Sequence, residues 1–176
     1  MTIVHANPAA GTVTAFGETH AASFGKGGWC AAADKREGDG KTPLGLWPIR
    51  AALIRSDRLG RLHTALPWRG LRPWDGWSDG ADDPAYNRPV LRPHRFSHEA
   101  LWRDDHAYDI ILVLGHNDSP PVPGLGSAIF WHVRQPDRRP TEGCVACAAD
   151  VLARWLTALQ PGDSLAITAS AAIPAG

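Results

Sequence analysis

Short apolar runs, separated by turns rich in glycine and proline, dominate the first two thirds of the chain. The β-branched runs Thr2–Ala6 and Thr12–Gly17 flank a turn, which predicts two consecutive strands. Five successive apolar residues within Tyr108–Asn117 predict a buried strand. The segment Gly126–Val133 predicts another strand. Successive side chains alternate between its two faces, with Ile129, Trp131 and Val133 on one and Ala128, Phe130 and His132 on the other.

One segment near the C-terminal end has the period of a helix. Apolar residues of Ala148–Gly162 recur along one helix face, and these are Val151, Leu152, Trp155, Leu156 and Leu159. The run Ser164–Ala169 after it predicts a final strand. Earlier in the chain, the apolar run Leu44–Ile54 is broken by Pro48 and predicts one or two strands.

Two regions lack a clear period. Arg58–Asn87 is rich in Trp, Pro and Gly and predicts a long ordered loop, whose tryptophans either plug a core or line a cleft. Phe96–Asp105 predicts a short helix, with Ser97 as its N-cap. Taken together, these patterns predict one mainly β domain over residues 1–176, with one main helix near the C-terminus and long loops.

Charge and composition narrow the possible partners. Lys+Arg and Asp+Glu both number 18, so no basic surplus favours nucleic acid or an anionic membrane surface. Every apolar run is shorter than the roughly 18 residues that a membrane helix requires, so we expect no membrane insertion. The N-terminal residues show no signal-peptide pattern. This predicts a cytoplasmic protein, or a periplasmic one if an export signal is missing from the sequence.

Three cysteines are an odd number and do not predict a disulfide framework. The stretch PTEGCVAC places Cys144 and Cys147 three residues apart, as in half of a zinc site, but no second closely spaced pair completes such a site. Redox dithiols share this spacing, yet the alternating strand and helix pattern of thioredoxin-like proteins is missing. A buried core residue is the favoured interpretation for Cys147 and Cys30.

A catalytic role is a further interpretation of Cys144. Gly143 allows the backbone to turn so that N–H groups converge on one point. The predicted helix begins shortly after Cys144, and a thiol near a helix N-terminus can have a lowered pKa. His132 lies twelve residues upstream and would activate the thiol if the connecting segment folds back. On these residues alone, a catalytic pair and a buried cysteine with a core histidine both remain open.

Four longer stretches resemble the L,D-transpeptidase catalytic domain, the YkuD-like family, and they are KREGDGKTPLGLWPI, DDPAYNRPV, GLGSAIFWHV and PTEGCVA. The resemblance implies a β-sandwich-like domain with few helices. It implies that Cys144 is the nucleophile, that His132 is its base, and that the carbonyl of Val133 orients the imidazole. It further implies an oxyanion hole formed by the backbone N–H groups of Gly143 and Cys144. Thr141 takes the Ser/Thr position of the family motif.

The chain departs from the family pattern in three places. Glu142 replaces a second histidine, Ala146 stands where an arginine is often found, and the spacer between His132 and Cys144 is short. These departures leave open which residue binds the substrate carboxylate. We consider Arg36 and Arg88, because a planar guanidinium group can donate two parallel hydrogen bonds to a carboxylate. The candidate substrate-binding residues are Arg36, Arg88, Ser127 and Thr141.

The resemblance implies an enzyme that acts on a peptidoglycan stem peptide or muropeptide without a cofactor or a metal. Cys144 would attack the bond between the L-centre of diaminopimelate and D-Ala in a tetrapeptide, release D-Ala and form an acyl-enzyme. An amine acceptor would make the enzyme a transpeptidase, whereas water would make it an L,D-carboxypeptidase that trims recycled muropeptides in the cytoplasm. A non-catalytic peptidoglycan-binding or zinc-binding module is the alternative from another class.

Overall fold

The computed structural model describes residues 1–60 and 62–169. Within these ranges the strands are β1 (Ile3–Asn7), β2 (Thr12–Ala15), β3 (Glu18–Ser23), β4 (Trp29–Ala31), β5 (Thr42–Ile54), β6 (Trp68–Gly70), β7 (Asp75–Ser78), β8 (Pro89–Leu91), β9 (His98–Ala100), β10 (Ile110–Leu114), β11 (Phe130–Val133), β12 (Val145–Cys147) and β13 (Ser164–Ile167). The helices are α1 (Ser56–Leu59) and α2 (Ala149–Ala158), and residues Ala32–Asp34 form a 3₁₀ turn. Neither α-helix of the described chain is long and apolar enough to cross a membrane.

The main sheet folds back on itself into two layers that remain connected at their edges. Its strand order is β10-β11-β12-β3-β2-β1-β13-β5-β4, and β6 also pairs with β5. The long strand β5 joins the layers, because residues 45–48 pair with β13 and residues 49–54 pair with β10. This closure confirms the expected mainly β, sandwich-like domain. It also shows that the run interrupted by Pro48 is one continuous strand.

The main core lies between the layers and beneath α2. The helix buries four side chains in this core, and these are Val151, Leu152, Trp155 and Leu156. Burial of each such side chain stabilises the fold by about 1.5–3 kcal/mol. The predicted helix is confirmed, although it ends at Ala158 rather than at Gly162. The strand predicted from Gly126 begins only at Phe130, because Ala128 has a φ of 52°, which interrupts extended backbone.

A separate three-stranded sheet, in the order β8-β7-β9, covers the outer face of β10 and β11. It corrects two predictions. Residues 58–87 are not one loop, since they contain β6 and β7. The helix expected in Phe96–Asp105 is also wrong, because this segment contributes β9, where Glu99 pairs with Trp77 of β7. Pairing with a strand distant in sequence outweighs the local cap signal at Ser97.

A second apolar core fills the space between this small sheet and the sandwich. It contains Leu53, Leu71, Trp77, Leu101, Ala107, Tyr108, Ile111, Phe130 and Cys144. Trp77 is therefore a buried core residue, and its Nε1 donates a hydrogen bond to Oδ1 of Asn87 at 2.9 Å. Trp68 and Trp74 are exposed. The second core places Cys144 beneath the small sheet rather than inside the sandwich.

Candidate active site

Two neighbouring parallel strands position the predicted catalytic residues. Trp131 of β11 pairs with Val145 of β12, and the next residue, His132, pairs with Ala146. The segment between the strands therefore folds back, as the catalytic interpretation required. Cys144 directly precedes β12 and lies beside Phe130, whose backbone N–H donates to Sγ of Cys144 at 3.3 Å.

His132 and Cys144 line the same cavity, which has a volume of about 520 Å³. Two candidate substrate-binding residues, Ser127 and Thr141, also line it. The cavity lies between the sandwich, the small sheet and the segment that joins β11 to β12, and its wall carries both acidic and basic side chains. The structure thus brings four of the predicted site residues to one place.

The imidazole of His132 is held in one tautomer. Its Nδ1 lies 2.9 Å from the carbonyl oxygen of Val133. Since a carbonyl only accepts hydrogen bonds, Nδ1 carries the proton and Nε2 is the unprotonated nitrogen. Burial lowers the pKa of His132 to about 4, although the Val133 carbonyl opposes this lowering. At neutral pH the ring is therefore uncharged and able to accept a proton at Nε2.

The thiol of Cys144 is buried, with 6% of the residue exposed. Its Sγ donates a hydrogen bond to the carbonyl of Ala128 at 3.2 Å. Burial, and to a smaller extent the charge of Glu99, raise the pKa of Cys144 to about 12. The activation expected at a helix N-terminus is wrong, because strand β12 separates Cys144 from α2. The resting site therefore pairs a neutral thiol with a neutral imidazole.

A tight turn before the thiol depends on glycine. Gly143 has a φ of 134°, and a Cβ there would lie 2.8 Å from the carbonyl oxygen of Lys41. Thr141 stabilises this turn, because its Oγ1 accepts from the Gly143 N–H at 3.1 Å and donates to the Cys144 carbonyl at 2.7 Å. The Gly143 N–H, which is one of the two expected oxyanion donors, therefore already donates a hydrogen bond to Thr141 in this structure.

Cys144 and Cys147 lie on opposite faces of the sheet. Cys147 is fully buried in the main core, where its Sγ accepts a hydrogen bond from Nε1 of Trp131 at 3.2 Å. Cys144 belongs to the second core on the other face. Side chains three residues apart along extended backbone point in opposite directions, so the two sulfurs are not placed to share a metal or a disulfide. The prediction that Cys147 is a buried core residue is confirmed.

Two predicted substrate-binding residues lie outside the lining of this cavity. Arg36 is exposed and donates from Nη1 to the carbonyls of Ala33 and Lys35 at 2.9 and 2.7 Å. Arg88 donates from Nη2 to the carbonyl of Asp118 at 2.6 Å. Neither lines the cavity. The structure thus places both guanidinium groups outside the cavity lining, which sequence alone could not show.

Other arginines stand at the cavity instead. Arg103 lines it and forms a two-point ion pair with Asp105, with N–O distances of 2.9 and 2.6 Å. Arg139 also lines it, is exposed, and forms a salt bridge with Asp137 at 3.2 Å. Among the described residues that line the cavity, these two side chains carry a positive charge.

Sequence reasoning missed two further residues of the site, Glu99 and Tyr108, which line the cavity together. The hydroxyl of Tyr108 donates to Oε1 of Glu99 at 2.5 Å. The Tyr108 ring packs edge-to-face on the imidazole of His132, with ring centroids 5.1 Å apart. No sequence signal could have found this pair, because the two residues meet only when the small sheet docks on the sandwich.

The fold and the cavity define a mainly β domain in which a cysteine and a histidine line one cavity. Residues 2–167 match the model of the L,D-transpeptidase catalytic domain, YkuD, and the chain belongs to this family. No curated protein matches the chain. Among solved structures, L,D-transpeptidase 1 of Mycobacterium tuberculosis is similar, with 15% identity and a TM-score of 0.42. The likeness covers 95% of this chain but 58% of that protein, so the chain spans little more than half its length.

Proposed function

We propose that this chain is a cysteine acyl-transfer enzyme of peptidoglycan. Its substrate would be the stem tetrapeptide, cut between the L-centre of the third residue and the terminal D-Ala. The observation that carries the proposal is that Cys144 and His132 line one cavity while Nδ1 of His132 is committed to Val133. This leaves Nε2 for proton transfer, and family membership supports the choice of substrate.

The reaction would proceed through a covalent intermediate. Sγ of Cys144 attacks the carbonyl carbon while its proton passes to Nε2 of His132. The resulting oxyanion is held by backbone N–H groups at the Gly143 turn, which requires the Gly143 donor to exchange Thr141 for the substrate. His132 then returns the proton to the departing amino group of D-Ala, and a thioester on Cys144 remains.

The acceptor decides which activity results. If an amine of a second stem peptide attacks the thioester, a cross-link forms, and if water attacks, a tripeptide is released. Both reactions use the same Cys144 and His132, because each acceptor loses its proton to the imidazole. Selection between the acceptors depends on how the rest of the cavity admits a second peptide.

The test is a mass spectrum of disaccharide-tetrapeptide after incubation with the protein, with and without an added D-amino acid. Loss of one D-Ala without a dimer would identify an L,D-carboxypeptidase. A cross-linked dimer, or exchange of D-Ala for the added D-amino acid, would identify a transpeptidase. An unchanged tetrapeptide under all conditions would contradict the proposal and favour a non-catalytic peptidoglycan-binding module.

A further inference from the structure

A hydrogen-bonded pair joins the two parts of the fold inside the cavity. Glu99 belongs to β9 of the small sheet, whereas buried Tyr108 lies just before β10 of the sandwich. The Tyr108 hydroxyl donates to Oε1 of Glu99 at 2.5 Å. Burial, together with the charge of Glu99, raises the pKa of Tyr108 well above its ordinary value, so the phenol remains a donor. This bond fixes the small sheet beside the reacting residues.

Tyr108 also restrains the catalytic imidazole. Its ring lies nearly perpendicular to that of His132, with an interplanar angle of 81° and centroids 5.1 Å apart. The guanidinium carbon of Arg103 lies 5.1 Å from the centre of the Tyr108 ring. The imidazole therefore contacts the Val133 carbonyl at Nδ1 and the Tyr108 ring at its side.

We propose that Glu99 and Tyr108 are a positioning pair for the acyl-transfer reaction, in which Tyr108 sets the plane of the His132 imidazole and Glu99 holds Tyr108 at the wall of the cavity that Cys144 also lines. This inference rests on the proposed function for its catalytic consequence. A small displacement of Nε2 from the line of proton transfer reduces the rate of such a step by orders of magnitude.

The carboxylate of Glu99 has a separate effect on the thiol. A negative charge beside Cys144 disfavours the thiolate, so the proton leaves Sγ only when the imidazole accepts it during attack. Burial raises the pKa of Glu99 itself, although the Tyr108 hydroxyl opposes this. Other charged or titratable groups act on the same atoms. The pKa of Cys144 also depends on the charges of Lys35 and Glu142, and Cys144 and Tyr108 influence each other. The pKa of His132 depends on Arg103 and Asp105. The pKa of Glu99 depends on Arg103, Asp79 and Glu37.

Three variants and one matched control test the pair. Glu99→Gln keeps a hydrogen-bond acceptor but removes the charge, Tyr108→Phe keeps the ring but removes the hydroxyl, and the double variant combines them. The control is Glu37→Gln, because Oε2 of Glu37 accepts from the Tyr86 hydroxyl at 2.5 Å and Glu37 lines the same cavity. This second tyrosine–glutamate pair thus supplies the same chemistry at another point of the wall.

The first readout is alkylation of Cys144 by iodoacetamide at pH 8, resolved by peptide mass spectrometry, which requires no substrate. Glu99→Gln is expected to accelerate alkylation by about three- to tenfold, because removal of the carboxylate lowers the pKa of the thiol. Glu37→Gln is expected to stay close to the wild-type rate. The urea midpoint of each variant is measured in parallel, since opening of the small sheet would also expose Cys144 and would lower the midpoint of Glu99→Gln.

The second readout is D-Ala release from the tetrapeptide. Tyr108→Phe and Glu99→Gln are each expected to lower kcat by about tenfold with little change in KM, and the double variant to lose no more than the worse single variant. Equal alkylation in Glu99→Gln and Glu37→Gln, or losses that simply multiply in the double variant, would overturn the positioning pair. If even the wild-type protein released no D-Ala, the proposed function would fail, and alkylation would still decide whether Glu99 acts on Cys144.

Discussion

The sulfur of Cys144 lies 3.2 Å from the carbonyl oxygen of Ala128 and donates a hydrogen bond to it. The side chain of Cys144 is thus a thiol and not a thiolate. The pKa values of about 12 for Cys144 and about 4 for His132 agree with this geometry, since both groups are uncharged at neutral pH. In the proposed reaction, attack by Cys144 would therefore require the imidazole of His132 to remove the proton at the same time.

The first prediction concerns the reactivity of the three thiols in the absence of substrate. Cys144 should react slowly with iodoacetamide at pH 7, and its rate should rise about tenfold for each pH unit up to pH 9, because only the thiolate reacts. Cys30 should react first, since it is less buried than the other two cysteines. The measurement is site-resolved peptide mass spectrometry. A Cys144 rate that exceeds that of Cys30 at pH 7 and no longer changes with pH would contradict the neutral resting thiol.

The second prediction concerns the acid limb of activity. His132 acts as a base only when unprotonated, and its pKa of about 4 keeps it unprotonated down to that pH. The value of kcat/KM for D-Ala release depends on the ionisation of groups in the free enzyme. It should therefore stay constant from pH 7 to about pH 5 and fall as pH approaches 4. A half-maximal value near pH 6.5, the ordinary pKa of histidine, would show that the imidazole is solvated rather than buried.

Sequence patterns identified the sandwich and α2 because these elements carry long or periodic apolar runs. The small sheet was missed because its strands have three or four residues, and all four residues of β7 are buried, so no alternation marks it. Ser97 matched the N-cap of a helix, yet pairing of β9 with β7 decided the structure. Short strands of this kind are defined by their partners rather than by their own composition.

The candidate site was predictable only in part for a similar reason. His132 and Cys144 are close in the chain and flanked by a glycine turn, so their meeting could be expected from sequence. Glu99 and Tyr108 meet across two sheets, which no local pattern records. The raised pKa of the thiol also had no sequence signal, because it follows from burial beneath the small sheet.

The third prediction concerns the turn before the nucleophile. Gly143→Ala should destabilise the protein by about 1–3 kcal/mol, since it adds a clash with the Lys41 carbonyl to an unfavourable φ. Gly124→Ala is the control, because Gly124 also has a positive φ but a Cβ added there would meet no atom within 4 Å. Urea unfolding should show a larger loss for Gly143→Ala. Equal losses would mean that the turn relaxes and that close packing on Lys41 is unimportant.

The fourth prediction concerns the stability of the small sheet at low pH. Oδ2 of Asp83 accepts hydrogen bonds from Oγ of Ser78 at 2.5 Å and from Nε2 of His94 at 2.6 Å. Burial opposes ionisation, but these bonds lower the pKa of Asp83 to about 2. Because the pKa in the folded state lies below the ordinary 3.8, the carboxylate stabilises the fold above about pH 4, and this contribution is lost as pH falls toward 2.

Asp83→Asn should therefore lower the urea midpoint at pH 7, and the difference from wild type should narrow between pH 4 and pH 2. The exposed neighbour Asp82 provides the control, since Asp82→Asn should leave the midpoint nearly unchanged at both ends of this range. A difference for Asp83→Asn that stays constant from pH 7 to pH 2 would mean that the charge of the carboxylate does not contribute.

The central claim is that Cys144 carries the acyl group. The most direct measurement is the intact mass of the protein during turnover of the tetrapeptide, followed by peptide mapping, for wild type, Cys144→Ala and Cys147→Ala. The account predicts a thioester adduct on Cys144 in wild type and in Cys147→Ala, and neither adduct nor D-Ala release in Cys144→Ala. Release of D-Ala by Cys144→Ala at the wild-type rate, or an adduct on another cysteine, would contradict it.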